Sequence, residues 1–147
     1  MKSPKRDYLK YWKVIREFTK KKYGINQADL DMLLFLYSET YFSKDKFTEF
    51  AKLISWDTMR FERLRKDKFI DVFRQKTGNR RTVYELSFKA KRMIESVYKK
   101  LEGEEIPTSE GANPMFARKG THRDMLYKNF IEKMNTAIKQ EQYDALE

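Results

Sequence analysis

One histidine, His122, and no cysteine stand among the 147 residues. Those two facts remove most reactive chemistry. Disulfides and zinc–thiolate sites need cysteine. A two-histidine metal site or a histidine-based triad cannot be assembled within one such chain. Acidic neighbours such as Glu104–Glu105 fall in a Gly- and Pro-bearing stretch, where solvation is their role. No glycine-rich phosphate loop is present. With no reacting constellation to name, we expect neither an enzyme nor a resident cofactor or metal. The residues able to do chemistry are of another kind. Between 55 and 66 come Ser55, Trp56, Thr58, Met59, Arg60, Arg63 and Lys66. Between 74 and 81 come Arg74, Lys76, Asn79, Arg80 and Arg81. Guanidinium forks pair with phosphates or with both guanine acceptors, and apolar side chains meet thymine methyls. This is the chemistry of nucleic-acid recognition.

Charge placement supports that reading. The net charge is +10. Residues 1–24 carry +7 and residues 52–92 carry +8, whereas 25–51 carry −3 and 93–147 carry −2. Positive charge clustered in this way suits a polyanion; the alternative is a solvated lysine-rich surface. Hydrophobic residues make up 40% of the chain, enough for a core, so wholesale disorder is not expected. The longest apolar run, 32–37, is too short to span a bilayer, and the start MKSPKRDYLKYW has no apolar signal core. A soluble cytoplasmic protein of one domain, 1–147, is expected.

The elements that must position these residues follow from periodicity. Residues 7–22 read as a helix capped by Asp7, with Tyr8, Tyr11, Trp12, Ile15 and Phe18 in one apolar stripe and Gly24 as a left-handed stop. Asn26 opens a helix over 27–39 that is apolar nearly all round and therefore central. A loop, SETYFSK, leads to a helix from Ser43 or Lys44 to about Leu53. Ser55 then caps a helix over 56–67. Steps of about 100° from an inward Phe61 turn Asp57 and Leu64 inward, and Trp56, Met59, Glu62, Arg63 and Lys66 outward. Trp56 is open to two readings, packing over the corner between the helices or touching a thymine methyl or sugar. Residues 69–75 and 80–86 read as strands joined by a tight turn in which Gly78 and Asn79 supply positive φ. Ser87 opens a helix over about 88–102 whose stripe includes Val97, Tyr98 and Leu101. Residues 103–114 read as a mobile linker. Thr121, with Asp124 as capping-box acid, opens a last helix to about Gln140, and the tail QYDALE is expected to fray. The stripe Tyr127, Phe130, Ile131, Met134 and Ile138 must dock somewhere. Both terminal stripes are open to two readings, intramolecular core or subunit interface.

Helix, turn, helix, strand, basic loop, strand is the order of a winged helix-turn-helix. The expected fold is mainly α with a small β-hairpin wing, with a reading core over 25–88 and the wing over 69–86. From Gly24 to Pro107 the chain resembles the MarR family of winged-helix regulators. SWDTMRFERLRKDKFI (55–70) is similar to that family's recognition helix and its exit, with Thr58, Leu64, Phe69 and Ile70 at matching types. TGNRRTVYELS (77–87) resembles its wing, and KAKRMIESVYKKLEGEEIP (89–107) its following helix. Departures are visible. Asn79 stands where an Asp is usual, which removes the salt bridge that would orient Arg81. Lys68 replaces the usual glycine, and the wing looks one residue short. The resemblance implies a homodimer joined through the helices over 7–22 and 121–140, which engages the ten terminal stripe residues named above. It also implies that a small-molecule effector is possible, although no residue here identifies one.

Three functions remain open: a dimeric sequence-specific binder of double-stranded DNA that regulates transcription, a DNA-coating or architectural protein without sequence choice, and a winged helix used for protein interaction.

Overall fold

Local capping chemistry starts most of the helices. The structure, a computed structural model, describes residues 8–146. In order it contains α1 (Tyr8–Tyr23), α2 (Gln27–Tyr37), α3 (Lys44–Ala51), α4 (Arg60–Lys66), β1 (Ile70–Arg74), β2 (Val83–Leu86), α5 (Phe88–Leu101), a 3-10 turn (Pro114–Phe116) and α6 (His122–Asp144). The Asn26 side chain accepts from the Asp29 N–H, Ser43 from Lys46, and Ser87 from Ala90. Each satisfies an amide that the first helical turn leaves without a partner. At α6 the Thr121 hydroxyl and the Asp124 carboxylate bond reciprocally to each other's backbone N–H. Gly24 ends α1 at φ +62°, as expected. The proposed Asp7 cap lies outside the described residues. The result is a mainly helical fold with a two-stranded antiparallel hairpin, in a winged-helix order.

The chain divides into two compact units: Ile25–Glu95, and residues up to Gly24 together with those from Ser96 onward. In the first unit, Leu30, Met32, Leu33 and Leu36 of α2 are buried, as are Phe47, Phe61, Leu64, Phe69, Ile70 and Leu86. Phe61 makes edge contacts with the rings of Phe47 and Tyr84, each at 5.0 Å, which ties α4 to α3 and to β2. In the hairpin, Ile70 pairs with Leu86 and Val72 with Tyr84, and a bulge falls between Val72 and Arg74. On the other edge of β2, the Phe42 and Tyr84 backbones exchange hydrogen bonds of 2.9 and 2.8 Å. The segment read as a loop thus adds a one-residue third partner to the sheet. One short bridge carries too little alternating pattern to be legible.

In the second unit, α1, α6 and the segment between α5 and α6 share one core. Val14, Ile15, Phe18, Val97, Ile106, Met115, Ile131, Met134 and Ile138 are buried together, with Tyr11, Trp12 and Tyr127 packed against them. This corrects two expectations. First, residues 103–114 are not a mobile linker. Asn135 of α6 accepts from the Ile106 N–H at 3.0 Å and donates to the Ile106 carbonyl at 2.8 Å. Asn113 donates to the Pro107 carbonyl and caps the 3-10 turn through the Met115 N–H. Second, Ile15, Phe18, Ile131, Met134 and Ile138 are buried within their own chain, so they are not free to form a subunit interface. Of the stripe residues only Tyr8 and Phe130 remain exposed. Neighbouring positions on α6 present Met125 and Leu126 to solvent.

Smaller corrections follow the same logic. Tyr98 is exposed, and Lys100 is buried on the Val97 face instead. The Lys100 ammonium donates to Ser96 Oγ at 2.8 Å and to Glu104 at 3.2 Å, above the Phe18 ring. The helix does not fray at Gln140 but continues to Asp144, where Gln140 donates to the Asp144 side chain and Gln142 to the Gly103 carbonyl. Burial pushes the Asp124 carboxyl up. Both its oxygens meet the Lys21 ammonium at 2.7 Å, and with the Thr121 N–H this more than offsets burial and holds its pKa below the usual carboxylate value.

Candidate nucleic-acid interface

The sequence-predicted reading helix is shorter than expected. It begins at Arg60 rather than 56, and Ser55 does not cap it. Asp57 takes that part: its side chain accepts from the Met59 N–H at 2.9 Å, and its carbonyl accepts from the Arg60 N–H. Aspartate at such a turn competes with helix for the backbone amides, so 55–59 stays non-helical. At the far end the chain leaves α4 through Lys68 at φ +63°. The Phe69 N–H bonds to the Leu64 carbonyl and the Lys68 N–H to that of Arg65, a Schellman closure with lysine where glycine is favoured.

Two arginines assigned to DNA are otherwise engaged. Arg60 is 2% exposed. Its Nε donates to Asp29 Oδ1 at 3.0 Å and its Nη2 to Ser55 Oγ at 3.2 Å. It therefore belongs to the core. The helical wheel gives the reason: Arg60 lies roughly 40° from Leu64, on the border of the inward face. Arg63 is half-buried. It forms a fork on Asp29 at 2.8 and 2.7 Å and reaches Asp57 Oδ2 at 2.7 Å. The two carboxylates raise its pKa further above the ordinary guanidinium value, Asp29 being the larger cause. In turn the Arg63 hydrogen bond holds the Asp57 carboxyl below its usual range. The fork expected to face guanine is thus already occupied. In sequence Asp29 looks like an ordinary first-turn acid of α2, so its part in this network goes unseen there. Its position on a helix otherwise apolar nearly all round is the signal that could reveal it.

The remaining predicted residues are exposed. Trp56 is 90% accessible and Met59 is exposed beside it; Ser55, Thr58 and Lys66 are also exposed. Trp56 is therefore not packed over the corner between helices. On the hairpin, Arg74, Lys76, Asn79, Arg80 and Arg81 are all exposed. The tip is a two-residue turn closed by the Thr77–Arg80 bridge. Gly78 has φ +57°, whereas Asn79 is not left-handed, so only one of the two expected positive-φ positions is used. That fits the primed turn with glycine at its first central position. Arg81 is not left unoriented by Asn79, because it pairs with Asp45 of α3. Lys66, Lys68, Arg74, Lys76 and Arg80 take part in none of the side-chain ion pairs among the described residues. Arg65, which helical phase does not single out, lies over the Tyr84 ring at 5.5 Å.

Five cations without an ionic partner among the described residues run from the end of α4 to the tip of the hairpin. They can take phosphate oxygens without surrendering an existing ion pair, whereas Arg60 and Arg63 would have to give up Asp29. Among the described residues no helix is long and apolar enough to cross a membrane. No family model matches the chain, and no curated protein matches it. Among solved structures, the chain is similar to one described as disulfide-formed AbfR, at 16% identity and a TM-score of 0.47, covering 90% of this chain and 85% of that one.

Proposed function

We propose that this protein is a double-stranded DNA-binding regulator of transcription, MarR-like in its order of elements, cytoplasmic and non-enzymatic, and active as a homodimer. The observation that carries this reading is the run of exposed cations outside the ion-pair network, Lys66, Lys68, Arg74, Lys76 and Arg80, on the exit of a helix-turn-helix and its hairpin. In this reading the hairpin lies along phosphates or the minor groove, and Trp56, Thr58 and Met59 meet base edges or methyls in the major groove. A second reading is favoured by one observation. With Arg60 buried and Arg63 held by two carboxylates, the surface is richer in phosphate partners than in base readers. That is the balance of a protein that coats DNA without sequence choice.

Fluorescence anisotropy on labelled duplexes across a salt series tests the proposal. Wild-type affinity should fall steeply with salt. Arg80→Ala/Arg81→Ala should flatten the slope by about one unit for each phosphate that the hairpin no longer neutralises. Absence of DNA affinity at low salt would reject both readings and leave a protein-interaction module.

A further inference from the structure

We infer that the first unit carries a binding site for a small organic ammonium, between the N-terminal half of α2 and the segment that enters α4. A cavity of about 780 Å³ lies there, within the size range of roughly 300–1,000 Å³ that small-molecule sites occupy. Leu34, Phe35, Leu53 and Ile54 supply its apolar walls, and Gln27, Asp31 and Ser55 its polar groups. No lysine or arginine lines it.

The polar groups define the ligand. Gln27 Nε2 donates to Asp31 Oδ1 at 2.8 Å. A carboxylate only accepts, so this bond fixes the orientation of the amide. Gln27 Oε1 is then left buried without a hydrogen-bond partner. Ser55 Oγ already accepts from Arg60 Nη2. The cavity thus presents an unfilled acceptor beside a carboxylate, between apolar walls. A primary ammonium on an aromatic or aliphatic body supplies what is missing: N–H donors for Gln27 Oε1, positive charge for Asp31, and apolar area for the walls. An anion of the same shape would face two acceptors and a like charge.

Occupancy has a route to α4. Ile54 and Ser55 form part of the wall and lead into the turn before that helix. Ser55 holds Arg60, and Arg60 holds Asp29, which also holds Arg63. A ligand seated against Ser55 therefore biases the ion network behind the α4 face. This transmission affects DNA only if the proposed function is right; the binding itself does not depend on it.

The test uses the full chain without DNA. Phenethylammonium is titrated by calorimetry and by amide chemical shifts, with 3-phenylpropionate as the anionic control. Saturable binding with shifts centred on Gln27–Phe35 and Leu53–Ser55 is expected, together with no binding of the control. Asp31→Asn, at a half-exposed position, should weaken binding by about tenfold or more. Bound ligand should slow amide exchange at Arg60–Lys66 in the wild type and not in Ser55→Ala. Equal binding of 3-phenylpropionate, no saturable binding, or an unchanged Kd in a folded Asp31→Asn variant would overturn the site. Unchanged exchange at α4 with ligand bound would overturn the transmission.

Discussion

Lys68 holds a left-handed backbone that an L residue adopts only at a cost, and it does so where a glycine would close the helix without strain. The lysine adds a cation between α4 and the hairpin, so local stability and surface charge pull in opposite directions here. Lys68→Gly should raise stability by about 1 kcal/mol in urea melts, the usual scale of left-handed strain, and should weaken DNA binding at low salt. A loss of stability would mean that the lysine side chain packs in a way its exposure does not suggest. Asp29 is the converse case, a buried carboxylate that neutralises two arginines. Asp29→Asn should cost about 3–5 kcal/mol, because it leaves Arg60 buried without its counter-charge. Asp57→Asn, at the exposed end of the same network, should move the melting midpoint far less. Equal effects of the two variants would contradict the burial assigned to Arg60. Neither arginine's partner is legible in sequence: Asp29 and Arg60 are 31 positions apart, and helical phase places residues on a face without saying what stands opposite.

The caps at Asn26, Ser43, Ser87 and Thr121 are legible, because an N-cap is decided within four residues of sequence. The hairpin is legible for the same reason, since β-branched and aromatic runs flank a Gly-Asn turn. What fails is non-local. The start of α4 moves because Asp57 captures backbone amides. The segment after α5 carries Gly, Pro and acids, the composition of a linker, yet a single side chain from α6 pins it. Asn135→Ala removes both bonds to Ile106 and leaves a buried N–H and C=O without partners. It should destabilise the protein by about 2–4 kcal/mol at the usual cost of orphaned groups. It should also open 103–116 to limited proteolysis before the rest of the chain unfolds. Protease resistance equal to wild type would mean that Asn113 and the 3-10 turn hold the segment alone.

Across the whole molecule, the amphipathic stripes of α1 and α6 do need a partner, but periodicity cannot tell a partner in the same chain from one in another. The buried stripe serves the chain's own core, so a dimer must use the side of α6 that bears Met125, Leu126 and Phe130. Leu126→Lys/Phe130→Lys should convert a dimer to a folded monomer in sedimentation, with near-ultraviolet dichroism unchanged. A wild-type monomer at tens of micromolar, roughly the range where weak assemblies dissociate, would remove the dimer from the proposal. Such a dimer would carry two reading units, and paired units favour half-sites about 10 base pairs apart, centre to centre. Selection of bound duplexes from a random pool at physiological salt tests the central claim most directly. The account predicts enrichment of a near-palindrome with that spacing, lost on Trp56→Ala or Lys66→Ala. Steep salt-dependent binding with no enriched sequence, or no retained DNA at all, would contradict it.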